Sequence, residues 1–79
     1  MTSHQISTIA TVINVALACN YYRETENEIV ATWKADNHPV YDDLVDLRKE
    51  VVRCGGAMFI SHTEDDEYKV TIDKVALVA

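Results

Sequence analysis

The segment that most constrains this chain is residues 37–56, Asn-His-Pro-Val-Tyr-Asp-Asp-Leu-Val-Asp-Leu-Arg-Lys-Glu-Val-Val-Arg-Cys-Gly-Gly. It has a start signal, a stop signal and a charge gradient, so any fold must pack around the helix it encodes. Pro39 fixes its own φ and biases His38 away from helical geometry. A helix is therefore expected from Pro39 or Val40 to Cys54, with Asn37 or His38 as its N-cap. Asp42, Asp43 and Asp46 come early and Arg48, Lys49 and Arg53 come late, which complements the helix dipole. Gly55 and Gly56 supply a left-handed C-terminal residue. On a helical wheel Tyr41, Leu44, Val45, Leu47, Val51, Val52 and Cys54 form an apolar arc over half the circumference. Arg48 interrupts that arc. Its neighbours three and four residues away are Leu44, Val45, Val51 and Val52, so its own helix offers no acid. A desolvated, unpaired guanidinium costs several kcal/mol. Arg48 must reach an edge, find a carboxylate elsewhere in the fold, or meet an anionic group of another molecule.

The remaining elements arrange themselves around this helix. Ile6, Ile9, Ala10, Ile13, Ala16 and Leu17 recur at helical spacing, which predicts a first helix from Thr2 to about Glu24, capped by Thr2 or Ser3. Its β-branched residues pull the other way, toward strand. No Asp, Glu, Lys or Arg occurs from Met1 to Tyr22. Ser7, Thr11, Asn14, Val15, Ala18 and Tyr22 occupy the second face, where a surface helix normally carries charge. A second copy of the chain is the expected cover, giving a homo-oligomer through residues 3–22. Arg23 to Glu28 reads as a polar break. Ile29, Ala31 and Trp33 then alternate with Val30, Thr32 and Lys34 as a strand, with Trp33 as a core anchor.

Beyond the glycines, Ala57–Thr63 and Tyr68–Asp73 predict a β-hairpin around the turn Glu64–Glu67. A two-residue loop sets Phe59 opposite Ile72, and a three-residue loop sets Ile60 there. Residues 74–79 form an apolar tail that continues the last strand or docks on a partner. The expected fold class is α+β, in the order α-β-α-β-β. A right-handed crossover makes strands one and two parallel, and the third strand has room to insert between them, for an expected three-stranded sheet of order 1-3-2 with both helices on one face.

Seventy-nine residues make one small domain, 1–79, of marginal stability, for which self-association is a usual remedy. The net charge of −6 opposes direct contact with nucleic-acid phosphates and favours basic partners. Two cysteines, Cys19 and Cys54, fit reduced thiols in a cytoplasmic protein better than a disulfide framework. Ala16-Leu17-Ala18 before Cys19 faintly resembles a cleavage site but lacks a basic flank. The same stretch is too interrupted by Ser, Thr and Asn to span a membrane.

No set of residues carries catalysis. Cys19, Cys54, His4, His38 and His62 have no metal-ligand spacing, so neither a metal nor a cofactor is expected. Ser61 and His62 are strand neighbours on opposite faces. Gly55-Gly56 follows a helix, whereas a phosphate loop precedes one. The expected function is a non-enzymatic acidic interaction module or inhibitor. Asp42, Asp43, Asp46, Glu64, Asp65, Asp66 and Glu67 would contact a basic surface of a larger partner, such as its nucleic-acid-binding surface. The alternative is a binder of a small anionic ligand at a subunit interface, with Arg48, Tyr41 and His62 in the pocket.

Overall fold

A computed structural model describes residues 1–74. Helix α1 spans Ser3–Thr11 and continues as a π-helical segment, Val12–Ala16. Strands β1 (Tyr21–Glu24) and β2 (Glu28–Lys34) follow, then a 3-10 turn (Ala35–Asn37) and helix α2 (Tyr41–Arg53). Strands β3 (Ala57–His62) and β4 (Glu67–Asp73) complete the described chain. The class is α+β, as expected. The sheet has four antiparallel strands in the order β1-β2-β4-β3, rather than three. The three anticipated strands keep the expected order, with the last inserted between the other two. The apolar tail beyond Lys74 lies outside the described residues.

The fourth strand comes from the end of the predicted first helix, which stops at Ala16 instead of running to Glu24. Its start is as expected: Thr2 Oγ1 accepts from Gln5 N at 3.1 Å and Gln5 Oε1 accepts from Thr2 N at 2.8 Å. Along the helix, Thr8, Thr11 and Asn14 donate back to the carbonyls of His4, Ser7 and Ala10. Such back-bonding competes with the helical ladder and bends it. The ladder then widens, with Leu17 N reaching Val12 O at 2.9 Å, and Ala18 turns out of the helix at φ 49°. Tyr21–Glu24 pairs with Ile29–Thr32. The hairpin is closed by Thr25, whose Oγ1 accepts from Glu28 N at 3.1 Å.

Ile29, Ala31 and Trp33 of β2 face the helices with Val70, Ile72 and Met58, and Ile9, Ile13, Leu47 and Val51 pack onto them. Trp33 is the anchor expected of it: its ring is fully buried and its indole N–H donates to Leu17 O at 2.7 Å. The hairpin register matches neither expected pairing, because Met58 lies opposite Ile72. Thr63 and Glu67 close a three-residue loop of Glu64, Asp65 and Asp66, one residue earlier than the loop that sets Ile60 opposite Ile72, and Asp66, at φ 60°, takes the left-handed position usually given to glycine.

The α2 N-cap is Val40, without a side-chain bond, not Asn37 or His38, because Asn37 is held in the 3-10 turn and Pro39 precedes the cap. The glycine stop is as expected. Gly55 N bonds to Val52 O and Gly56 N to Val51 O, with Gly55 at φ 85°. Gly56 is required by proximity, since a Cβ there would lie 2.7 Å from the carbonyl oxygen of Asp73.

Lys74, only 7% exposed, ties β1 to the end of β4. Its Nζ donates to Glu24 Oε2 at 2.9 Å and to Thr25 O at 2.6 Å. The hydrogen bond from Lys74, followed by one from the Tyr22 hydroxyl, holds the Glu24 carboxyl below its usual range. Burial, followed by the bond to Glu24, pushes the Tyr22 hydroxyl up to about 12.

Two outcomes are expected. Ala18→Gly relieves the left-handed strain and stabilises the fold by about 1 kcal/mol, seen as a melting temperature raised by about 4–8 °C. Glu24→Gln leaves Lys74 with one strong acceptor and costs about 1–2 kcal/mol at neutral pH. The wild-type contribution of Glu24 is present above its unfolded pKa and is lost as pH falls through its lower folded value. That of Tyr22 is present below its unfolded pKa and is lost as pH rises toward about 12. Melting curves across pH should therefore show a flatter acid limb in the variant, and ultraviolet titration should show a lower Tyr22 pKa.

Candidate functional site

The acidic residues singled out in the sequence fall on two surfaces. Asp42, Asp43 and Asp46 are all exposed on α2. Asp43 and Asp46, with Glu50, rim a cleft of about 370 Å³ between α2 and α1, whose floor includes Ile9, Val12 and Leu47. Asp42 does not line this cleft, although it lies one helical turn before Asp46 on α2.

The second surface is the β3–β4 turn. Asp65, Asp66 and Glu67 border a shallow groove of about 630 Å³ with Lys34, Ala35 and Asp36. Glu64 is exposed beside it on the turn. The backbone fixes the groove: Ala35 N donates to Asp66 O at 3.2 Å, so the 3-10 turn and the hairpin tip are held together. Asp36 of the 3-10 turn therefore joins the acidic tip. Nothing local signals the association, which depends on β2 and β4 being paired neighbours.

His62 belongs with this tip and not with Arg48. Its Nε2 lies 2.9 Å from Asp66 Oδ1, and its ring packs on Tyr68 with centroids 5.1 Å apart. Tyr68 also packs against His38, at 4.6 Å.

Arg48 and Tyr41 do come together, on the outer side of α2. With Val45, Lys49, Val52 and Arg53 they line an open groove of about 580 Å³. Arg48 is exposed, and among the described residues it has no ion pair. The reason is that the apolar arc is wider than the buried stripe. Leu47 and Val51 are buried, Leu44, Val45 and Cys54 are half-buried, and Tyr41 and Val52 face solvent. Arg48 stands in the uncovered part of the arc, so it needs no internal carboxylate. Lys49 and Arg53 line this groove although they stand outside the apolar arc of the wheel. Arg53 is engaged locally: its Nε donates to Glu50 Oε2 at 3.1 Å and its Nη2 to Glu50 Oε1. These bonds hold the Glu50 carboxyl below its usual range and raise the Arg53 guanidinium further.

The cysteines are free and half-buried. Burial pushes the Cys19 thiol up, which favours the unreactive protonated form, and its Sγ donates to Asn14 Oδ1 at 3.5 Å. Among the described residues no three His, Cys, Asp or Glu side chains converge where a metal ion could be held. No helix among them is long and apolar enough to cross a membrane. Comparison with protein-family models, with curated proteins and with solved structures finds no match for this chain.

Proposed function

We propose that the chain is a non-enzymatic, cytoplasmic, acidic interaction module or inhibitor that docks on a basic surface of a larger partner, and that it self-associates. The observation that carries this reading is the absence of internal neutralisation. Among the described residues, Arg23, Arg53 and Lys74 pair with Glu28, Glu50 and Glu24. No Lys or Arg pairs with Asp42, Asp43, Asp46, Glu64, Asp65 or Glu67, and Asp66 meets only His62. Exposed carboxylates without cations project an unscreened negative field, which steers a basic partner and fixes its orientation. A surface used for nucleic-acid binding by another protein has the complementary charge.

The self-association reading starts from the uncharged residues 3–22, of which α1 and its π-helical continuation form the first part. The hydroxyl and amide groups on that face are already bonded to their own helix.

Arg48 supports a second reading, a small anionic ligand held at a subunit interface. An unpaired guanidinium beside Tyr41 and Lys49 presents donors, a ring face and a second cation within one groove. His62, bonded to Asp66, falls outside it.

Two measurements separate the readings. Partner capture from the native host should weaken steeply with salt for the wild-type chain. Replacing Glu64, Asp65, Asp66 and Glu67 by Gln or Asn should cut affinity about tenfold or more and flatten the salt slope. An unchanged affinity and slope would remove the hairpin tip from the interface. Arg48→Leu should shift stability by no more than about 0.5 kcal/mol, because the side chain is exposed and unpaired. If Arg48→Leu also leaves binding of small anions unaltered by calorimetry, the second reading fails.

A further inference from the structure

The two edges of the sheet are built differently. Strand β1 is four residues long and carries Arg23 and Glu24, which pair with Glu28 at 3.6 Å and Lys74 at 2.9 Å. Short length and charge are devices that stop an edge strand from recruiting a stranger. Strand β3, at the other edge, has six residues, Ala-Met-Phe-Ile-Ser-His, with no charge other than a histidine and no proline. It exposes Phe59 (62%) and Ile60 (48%), one on each face of the sheet.

The register against β4 identifies the free backbone groups. Thr63 N bonds to Glu67 O at 2.8 Å, and alternation then turns the backbone of Ala57, Phe59 and Ser61 toward β4. The N–H and C=O groups of Met58, Ile60 and His62 turn outward, and none of them is hydrogen-bonded among the described residues.

We propose that β3 pairs antiparallel with β3 of a second copy of this chain, about a two-fold axis at Ile60, joining two four-stranded sheets into one. This rests on the self-association reading and assigns it to the β3 edge instead of the α1 face. In this register Met58 faces His62 of the other copy and Ile60 faces its own image, so all three outward pairs of backbone groups are satisfied at once. Ile60 packs on its image on the helix side, and Phe59 comes within diagonal reach of its image on the other side.

Charge selects the same chain as the occupant and antiparallel as the direction. The strand itself brings no like charges together. It starts at the Gly55–Gly56 corner, beyond the last turn of α2, which carries Lys49 and the Arg53–Glu50 ion pair and is net basic by one charge, and it ends at the acidic tip Glu64–Asp66. Antiparallel pairing sets each tip beside the basic end of α2 in the other copy. Parallel pairing would set two acidic tips side by side.

The test is sedimentation of the full chain over a concentration series, at low and high salt. The expected species is a dimer that weakens with salt. Ile60→Lys should raise its dissociation constant about tenfold or more, and Val15→Lys, on α1, should leave it within about twofold. Should Ile60→Lys fail to fold by circular dichroism, a charge swap on exposed residues decides. Asp65→Lys alone should weaken the dimer, and adding Arg53→Glu should restore it. A monomer at every concentration overturns both this proposal and the self-association reading. A dimer that resists Ile60→Lys or the charge swap overturns the β3 edge alone. If that dimer dissociates with Val15→Lys, self-association stands and belongs to α1.

Discussion

The bond from the Trp33 indole to the Leu17 carbonyl, 2.7 Å long, is the contact on which most of the fold depends. Burying a large aromatic ring contributes about 1.5–3 kcal/mol. An indole N–H left unpaired in the core would cost about 1–3 kcal/mol of that. Leu17 stands at the end of the helical segment, where carbonyls have no partner within the helix. One bond therefore satisfies a donor trapped in the core and an acceptor orphaned at a helix end. For Leu17 to reach Trp33 the helix has to stop there, and Ala18 adopts a left-handed conformation to make it stop. Asn20 then sits beside β2, accepting from Lys34 N at 2.9 Å through its side chain. The end of the first helix, the start of β1 and the β1–β2 register all follow from where one tryptophan is buried.

The parts of the fold that were legible in the sequence are those with a local cause. Helix α2 is written in its periodicity, its charge gradient and its glycines. Alternation marks β2, β3 and β4, and crossover handedness makes β2 and β3 parallel, while nothing local places β4 between them. The illegible parts replaced a standard residue with a less usual one. Ala18 and Asp66 hold left-handed positions where glycine or asparagine would have announced a stop or a turn. Without that signal Tyr21 and Tyr22 look like one more helical turn, and the hairpin register drifts. The surface acids were legible because charge alone predicts exposure. The setting of Arg48 was not, because a wheel gives an angle and says nothing of how much of the circumference a sheet will cover. The bond between His62 and Asp66 was hidden for a related reason: it depends on the shape of the turn, not on spacing.

A formal charge of −6 opposes self-association only where the charge is spread evenly over the surface. Residues 2–22 and 54–63 carry no Asp, Glu, Lys or Arg, so the charges are confined to α2, the β1–β2 hairpin, Asp36 of the 3-10 turn, the acidic tip, β4 and Lys74. The two uncharged stretches differ in what they ask of their surroundings. On α1 the polar side chains are turned onto their own backbone, and that face is compatible with water as it stands. On β3 an isoleucine and a phenylalanine flank a row of unpaired backbone groups. Water satisfies the backbone there but not the side chains, whereas a second strand satisfies both. Pairing through that edge leaves Asp42, Asp43 and Asp46 outside the interface. The α2 acids of both copies then stay open to solvent, whereas each acidic tip meets the last turn of α2 in the other copy.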